Sequence, residues 1–372
     1  MIRVMMVIPT LDQSGAEKQF TLVASQLPRD EFDVRVVALT RGGPLELPLR
    51  ESEIPVDILN KRWKFDPGTM WQLRGLIAKH QPQILNTWLF AANAYGRMVG
   101  RFGGSTPRII ISERCVDSWK AGWQHWLDKR LLGRTDRVIA NSASVAEFYR
   151  QRGVPDDRLS VIPNGVQVPP VPTMSRTEFL VRQDLPRDSR LIFTIGRLAP
   201  QKRLRDLLWA MQILKQADPR FKLILCGDGP ERFTLKRYAE EVECADMVRF
   251  MGHREDASSL LHLADIFWLG SEFEGMSNSL MEAMACGKPV VVSSIPANQE
   301  LVQHGVEGYV ANLGDAPGFA QFSLKIMSDP QLAQSMGTAG RTKMEREFGV
   351  TNMVDRYAEA FRAEVAVLEA AS

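Results

Sequence analysis

Short apolar runs alternate with amphipathic stretches along the whole chain. Residues 2–8 form the first run, and a loop follows over 9–15. Phe20, Val23, Ala24 and Leu27 then recur at helical spacing. The same alternation predicts strands at 32–39, 55–59, 84–86, 108–112, 138–141 and 159–162, with a helix over 68–80 and another running from the N-cap Ser142 to residue 152. It starts again with strands at 191–195, 221–226, 248–251, 266–269, 290–292 and 308–311. Helical spacing lies between them over 204–217, 231–243, 258–264 and 280–285. From residue 317 the chain is helical with breaks, and 351–368 reads as one long amphipathic helix.

Unbroken apolar strands alternating with helices call for parallel sheets covered on both faces. The fold class is therefore α/β, with two doubly wound domains. The tract VPPVP (168–172) suits neither a helix nor a central strand, so it reads as the linker. That divides the chain into 1–170 and 171–350. Ligands of such sheets sit beyond the strand carboxyl ends. Glu113, Arg114, Asn141, Ser142 and Asn164 fall there, and Glu113 and Arg114, together with Ser14 in the first loop, are candidates for the acceptor side.

The richest stretch chemically is 273–293, FEGMSNSLMEAMACGKPVVVS. Gly275, Ser277, Asn278 and Ser279 lead into a short helix that Gly287 and Pro289 stop. The free N–H groups of a helix start attract an anion. Glu274 precedes the helix and Glu282 lies about a turn and a half inside it. Two carboxylates that accept hydroxyl hydrogens beside an anion site suit a sugar nucleotide. The plainer reading is that Ser271-x-x-Glu274 and Ser279-x-x-Glu282 are capping boxes.

Other loops add to this. Gly196 to Lys202 reads GRLAPQK between a strand and a helix, so Arg197 and Lys202 form a candidate diphosphate clamp. Ser14 and Gly15 stand at a loop-to-helix junction and can offer backbone amides to a phosphate. Gly227-Asp228-Gly229 reads as a tight turn, since a dinucleotide fingerprint needs a third glycine. No D-x-D sequence and no metal-ligand spacing of the five histidines is present, so neither metal nor cofactor is expected.

Composition changes the picture in two places. The net charge is only +2, which argues against nucleic acid, yet residues 1–170 hold 23 Lys and Arg against 17 Asp and Glu. Six of the eight tryptophans fall within 58–137, among 14 basic and five acidic residues. Trp119, Trp123, Trp126 and Arg130 recur on one helical face, with Lys120, Lys129 and Arg134 nearby. That face reads either as core packing or as a surface that meets a membrane and a lipid-linked acceptor. Four scattered cysteines signal neither zinc nor a disulfide framework, which fits cytoplasm. The apolar N-terminus is short for a signal peptide, and no run reaches the roughly 18 apolar residues of a membrane span. A cytoplasmic protein with a peripheral contact to the membrane face is expected.

GRLAPQK, the SEFEGMSNSLMEAMACGKPVV block with its E-x7-E, VIPNGV, VIANSASV and LCGDGPE together resemble the retaining, nucleotide-sugar-dependent glycosyltransferases of family 4. The resemblance runs in order over nearly the whole chain. It implies the GT-B fold, in which two such domains face across a cleft, and a metal-independent transfer. The second domain would hold the donor and the first the acceptor, with the last helix (351–372) packing back on the first. Arg197 and Lys202 would bind the diphosphate, Glu282 the ribose and Glu274 the transferred sugar. Gly196, Ser277, Asn278 and Ser279 would complete the donor site, and His253 and Arg254 end a strand near where the family holds its base. Two departures stand out: Ser14 replaces the first glycine of the family's first loop, and Ser112-Glu113-Arg114 stands where many members carry a histidine. The implied activity is hexosyl or N-acetylhexosaminyl transfer to a sugar or lipid-linked saccharide in surface polysaccharide or glycan assembly. Two alternatives remain: a same-fold enzyme making a soluble (phospho)disaccharide, or a non-catalytic sugar-nucleotide-binding subunit.

Overall fold

A computed structural model describes residues 1–101, 106–116 and 120–370. The chain divides into two units: residues 1–165 with the segment from Val350 onward, and Val166–Gly349. The boundary falls just before the proline-rich tract. Val166 lies in the second unit, where it bridges to Gly349 and its N–H donates to the carbonyl of Phe348.

The first unit is a seven-stranded sheet, parallel throughout. Its strands are β1 (Ile2–Thr10), β2 (Phe32–Arg41), β3 (Val56–Ile58), β4 (Ile84–Trp88), β5 (Arg108–Glu113), β6 (Arg137–Ala140) and β7 (Leu159–Val161), in the order β3-β2-β1-β4-β5-β6-β7. Alternate residues of each strand feed opposite faces. Val4, Met6, Ile8, Ile84 and Ile110 pack with the helices Gly15–Gln26 and Val350–Ala370. Met5, Val7, Leu85, Ile109 and Ile111 pack with Pro67–His80, Leu89–Val99 and Ala143–Arg150. Burial on both faces is why these strands read as unbroken apolar runs.

The last helix is fixed to this unit by buried charge. Glu364, buried, accepts from Arg108 and Arg137 at 2.7 Å each, at the starts of β5 and β6. Tyr357 stacks on Trp88 at 5.7 Å.

Two expectations change here. The Leu89–Val99 helix has no signal in the pattern: it follows β4 directly, with Trp88 at its N-cap position and no capping side chain. The tryptophan face also differs from a plain stripe. Trp123 and Trp126 are 58% and 63% exposed on the Gly122–Leu131 helix, so they are not core. Lys120, read as part of that surface, is buried and bonded to Asp128 at 3.1 Å and the Tyr149 hydroxyl at 3.0 Å. Trp119 lies outside the described residues.

The second unit is a six-stranded parallel sheet: β8 (Arg190–Ile195), β9 (Phe221–Cys226), β10 (Val248–Gly252), β11 (Ile266–Leu269), β12 (Val290–Ser293) and β13 (Gly308–Ala311), in the order β10-β9-β8-β11-β12-β13. The order reverses between β8 and β11, which pair side by side through Ile192 and Ile266. From β8 the chain enters the helix Leu204–Ala217, packed on one face with Ile192 and Leu223. From β11 it enters Asn278–Ala285, packed on the other face with Phe193 and Phe267. Two neighbouring strands whose connections leave in opposite directions open a crevice at their carboxyl ends.

Candidate functional site

That crevice is where the loops singled out in the sequence arrive. β8 ends at Ile195 and delivers Gly196 and Arg197. A single 3-10 turn, Pro200–Lys202, then brings Lys202 back beneath them. β11 ends at Leu269 and delivers Gly270 to Ser277. Gly196, Arg197, Lys202, Cys226, Leu269 and Gly270 line one small pocket.

Lys202, which lines it, meets Glu274. The Lys202 Nζ lies 2.5 Å from Glu274 Oε1, with side chains 17% and 11% exposed. The Ser271 hydroxyl donates to the same oxygen at 2.7 Å. The two loops are stitched further by Gln201, whose amide donates to the Phe273 carbonyl at 2.7 Å and whose carbonyl accepts from Glu272 N–H at 2.9 Å. Ser293 on β12 donates to the Ser271 carbonyl at 2.5 Å, and Asn298 donates to Ser293 in turn.

The capping boxes do not form. The helix Asn278–Ala285 is capped by Ser277, which accepts from Leu280 N–H at 3.4 Å, and no helix begins at Ser271. Ser271 therefore orients Glu274. Asn278 and Ser279 are the first two residues of the helix, and Ser279 shares a hydroxyl bond of 3.2 Å with Ser277. Glu282 is half-buried a turn and a half along it. Arg197 is exposed, with no ion-pair partner among the described residues. The opening thus combines an exposed guanidinium, an ammonium held by a carboxylate, and a helix start, all of which favour an anion.

Glycines let the strand-end loops close on one another. A Cβ on Gly227 would lie 1.9 Å from the Gly196 carbonyl oxygen, and Gly227 has φ +143°. Its N–H donates to the Gly252 carbonyl at 2.8 Å, while Gly196 N–H donates to the Cys226 carbonyl. The turn reading of Gly227–Gly229 therefore has a specific content: the turn ties β8, β9 and β10 together. Beyond β10, Arg254 is paired with Asp256 at 2.7 Å. Burial pushes the Cys226 thiol up to about 12, so the thiol beside the pocket is neutral.

Gln201 and Ser271 were not foreseen as site residues. Ser271 carried a signal in its spacing to Glu274, but that signal has a second meaning. Gln201 carried none.

Residues 175–343 match the model described as Glycosyl transferases group 1, and residues 13–168 the one described as Glycosyltransferase Family 4. The chain belongs to the glycosyltransferases. It is similar to N-acetyl-alpha-D-glucosaminyl L-malate synthase of Bacillus anthracis, 27% identical over 227 residues, which are 61% of this chain and 59% of that protein. That match spans less than two thirds of the relative. The UDP-Gal:alpha-D-GlcNAc-diphosphoundecaprenol alpha-1,3-galactosyltransferase of Escherichia coli is 25% identical over 368 residues, 94% of this chain and 93% of its own. Anabaena HepE, solved in complex with UDP-glucose, has a TM-score of 0.85 at 20% identity, covering 98% of this chain and 100% of that one. The fold of this glycosyltransferase is GT-B.

The first-unit candidates of the glycosyltransferase fall in different places. Ser14 is the N-cap residue of Gly15–Gln26 but makes no side-chain cap; its hydroxyl donates to Glu17, which also accepts from Thr10 at 3.2 Å. Glu113 is buried on the face of Leu89–Val99, accepting from Asn93 at 3.0 Å. Arg114 is buried on the opposite face, its guanidinium 4.3 Å from the Trp88 ring and bonded to Asn164 and the Tyr357 hydroxyl. Burial pushes its pKa down, opposed by Tyr357. Strand alternation separates these two neighbours.

Proposed function

We propose that this glycosyltransferase moves a hexosyl or N-acetylhexosaminyl group from a nucleoside-diphosphate sugar to a sugar or lipid-linked saccharide, with retention of configuration. The observation that carries this reading is the Lys202–Glu274 pair at the β8/β11 reversal, beside Arg197 and the start of Asn278–Ala285. Arg197, Lys202 and the helix N–H groups take the diphosphate, Glu274 faces the transferred sugar, Glu282 takes the ribose and Arg254 lies toward the base. The acceptor is held by the first unit.

In the transfer, the acceptor hydroxyl oxygen bonds to the sugar's anomeric carbon as the bond from that carbon to the diphosphate oxygen breaks. The electron pair leaves with the diphosphate, and the hydroxyl proton passes to the departing oxygen on the same face. The protein positions both partners and neutralises charge as it develops on the leaving group. Protein cations supply that charge, so no metal or cofactor is required. The Escherichia coli relative is named for UDP-Gal and HepE was solved with UDP-glucose, which puts UDP-sugars first among donors. Lipid-linked saccharides lead among acceptors on the same ground, in glycan assembly.

The test is a panel of UDP-, GDP- and ADP-sugars, each with lipid extract or with sugar phosphates, with and without EDTA. Transfer that survives EDTA and gives the donor's anomeric configuration by NMR is expected. Stimulation by sugar phosphate alone would instead assign a soluble disaccharide product. Donor binding without turnover on any acceptor would make the chain a binding subunit. Absence of both binding and turnover would refute the reading.

A further inference from the structure

The first unit leaves large aromatic side chains in solvent at two places. Trp63, Phe65 and Trp71 are 68%, 60% and 69% exposed in and just before the Pro67–His80 helix, and Trp123 and Trp126 are exposed on Gly122–Leu131. The Leu89–Val99 helix holds both places. On one side its Tyr95 hydroxyl accepts from the Asp66 N–H at 2.6 Å, and the Lys61 ammonium stands 5.7 Å from the Tyr95 ring. On the other, Phe90 meets Trp123 edge-on at 5.7 Å and Arg97 pairs with Asp128. The aromatics therefore flank one helix on one face of the sheet.

The charges around them have been sorted by sign. Arg62, Lys64, Lys129 and Arg130 are exposed. Two carboxylates lie within these segments, and both turn inward. Asp66 is buried and accepts from the N–H groups of Arg62 and Thr69. Asp128 is taken by Arg97 and Lys120. Among the described residues of these segments, the charges that face out are all cationic, set among the exposed aromatics.

We propose that these two patches are one docking surface for anionic lipid bilayers. Indole rings sit at the boundary between headgroups and acyl chains, and lysine and arginine beside them meet anionic headgroups. No helix among the described residues is long and apolar enough to cross a membrane, so the contact is peripheral and salt-sensitive. This surface shares no residue with the donor site, so its failure would leave the transfer reading standing.

The experiment is co-sedimentation of the full chain with vesicles of phosphatidylcholine alone or mixed with phosphatidylglycerol, at low and high salt. Binding should need phosphatidylglycerol, fall at high salt, and be accompanied by a blue shift of tryptophan fluorescence. The pairs Trp63→Ala with Trp71→Ala and Trp123→Ala with Trp126→Ala should each weaken it about tenfold. Each of Lys64→Glu, Lys129→Glu and Arg130→Glu should weaken it roughly fivefold or more. Melting curves confirm that the variants fold, since every substituted side chain is exposed. Protein left in the supernatant with anionic vesicles at low salt overturns the proposal. So does binding that all the variants retain, or light scattering that shows the patches joining two copies of the chain.

Discussion

Lys202 and Glu274 are 72 positions apart in the chain and 2.5 Å apart in the fold, each mostly shielded from water. The pair is a structural contact as well as a candidate for chemistry, and a cycle of variants separates the two roles. Lys202→Ala should lower kcat/KM by roughly 10²–10³, the scale of losing one preorganised charge-stabilising group. It should also cost about 1–3 kcal/mol of stability, because the Glu274 carboxyl group loses the ammonium partner it has in a shielded site and retains the Ser271 hydroxyl. Adding Glu274→Gln should recover most of that stability and none of the activity. Denaturant melts and donor turnover on the four proteins decide. Wild-type turnover in Lys202→Ala would remove it from the mechanism.

Gly227→Ala should damage the donor unit more than its size suggests. The new methyl would meet the Gly196 carbonyl at 1.9 Å, backbone against backbone, at a φ of +143°. Neither partner is a flexible side chain that can swing away. A loss of about 3 kcal/mol or more is expected, together with weaker binding of nucleoside diphosphate, since Gly196 carries the Arg197 loop. A chemical denaturation midpoint equal to wild type would show that the loop relaxes freely.

The sheets were legible because most of their strands, such as β9, β11 and β12, are buried on both faces and read as apolar runs. The donor loops were legible because Gly196–Lys202 and Phe273–Ser279 each break an apolar run with small and charged residues. The Leu89–Val99 helix was not, for a local reason: β4 passes into it without a turn, through Leu89 at φ +67°, and its inner face carries Asn93 and Arg97, which look like surface residues. The partner of Lys202 was illegible for a topological one. Only the side-by-side pairing of β8 and β11 brings residues so distant in sequence into contact. Glu113 and Arg114 show a further limit, since adjacency at a strand end does not tell which face each side chain takes.

Alkaline pH should weaken the second unit through its thiols. Burial raises Cys226 and Cys286 from 9.0 to about 12, and Cys244 to about 11. The unfolded chain loses these protons near pH 9 while the folded chain keeps them, so proton loss favours unfolding over that interval. The stabilisation is complete below about pH 9 and fades as pH rises toward 11–12. Replacing Cys226 or Cys244 by alanine should flatten the decline measured by urea melts at pH 8, 9 and 10. The thiols should also resist iodoacetamide at pH 8 until the chain unfolds. Rapid labelling of Cys226 in the native protein would contradict its buried, neutral state.

Arg114 offers a choice between anchoring and acceptor binding. It is buried beneath Trp88, bonded to Asn164 and to Tyr357 of the last helix, with its Nε unpartnered in the interior. Those contacts tie β5, β7 and the Val350–Ala370 helix at one point of the first unit. Arg114→Ala should therefore destabilise that unit by about 3–5 kcal/mol, the range for breaking a buried charged contact. Arg114→Lys keeps the charge but loses the planar fork, so it should recover only part. Donor hydrolysis without acceptor should change little in Arg114→Lys at a temperature where it stays folded, because Arg197, Lys202, Glu274 and Glu282 lie in the other unit. A rise in the acceptor KM with unchanged stability would reverse this assignment and return Arg114 to the acceptor site.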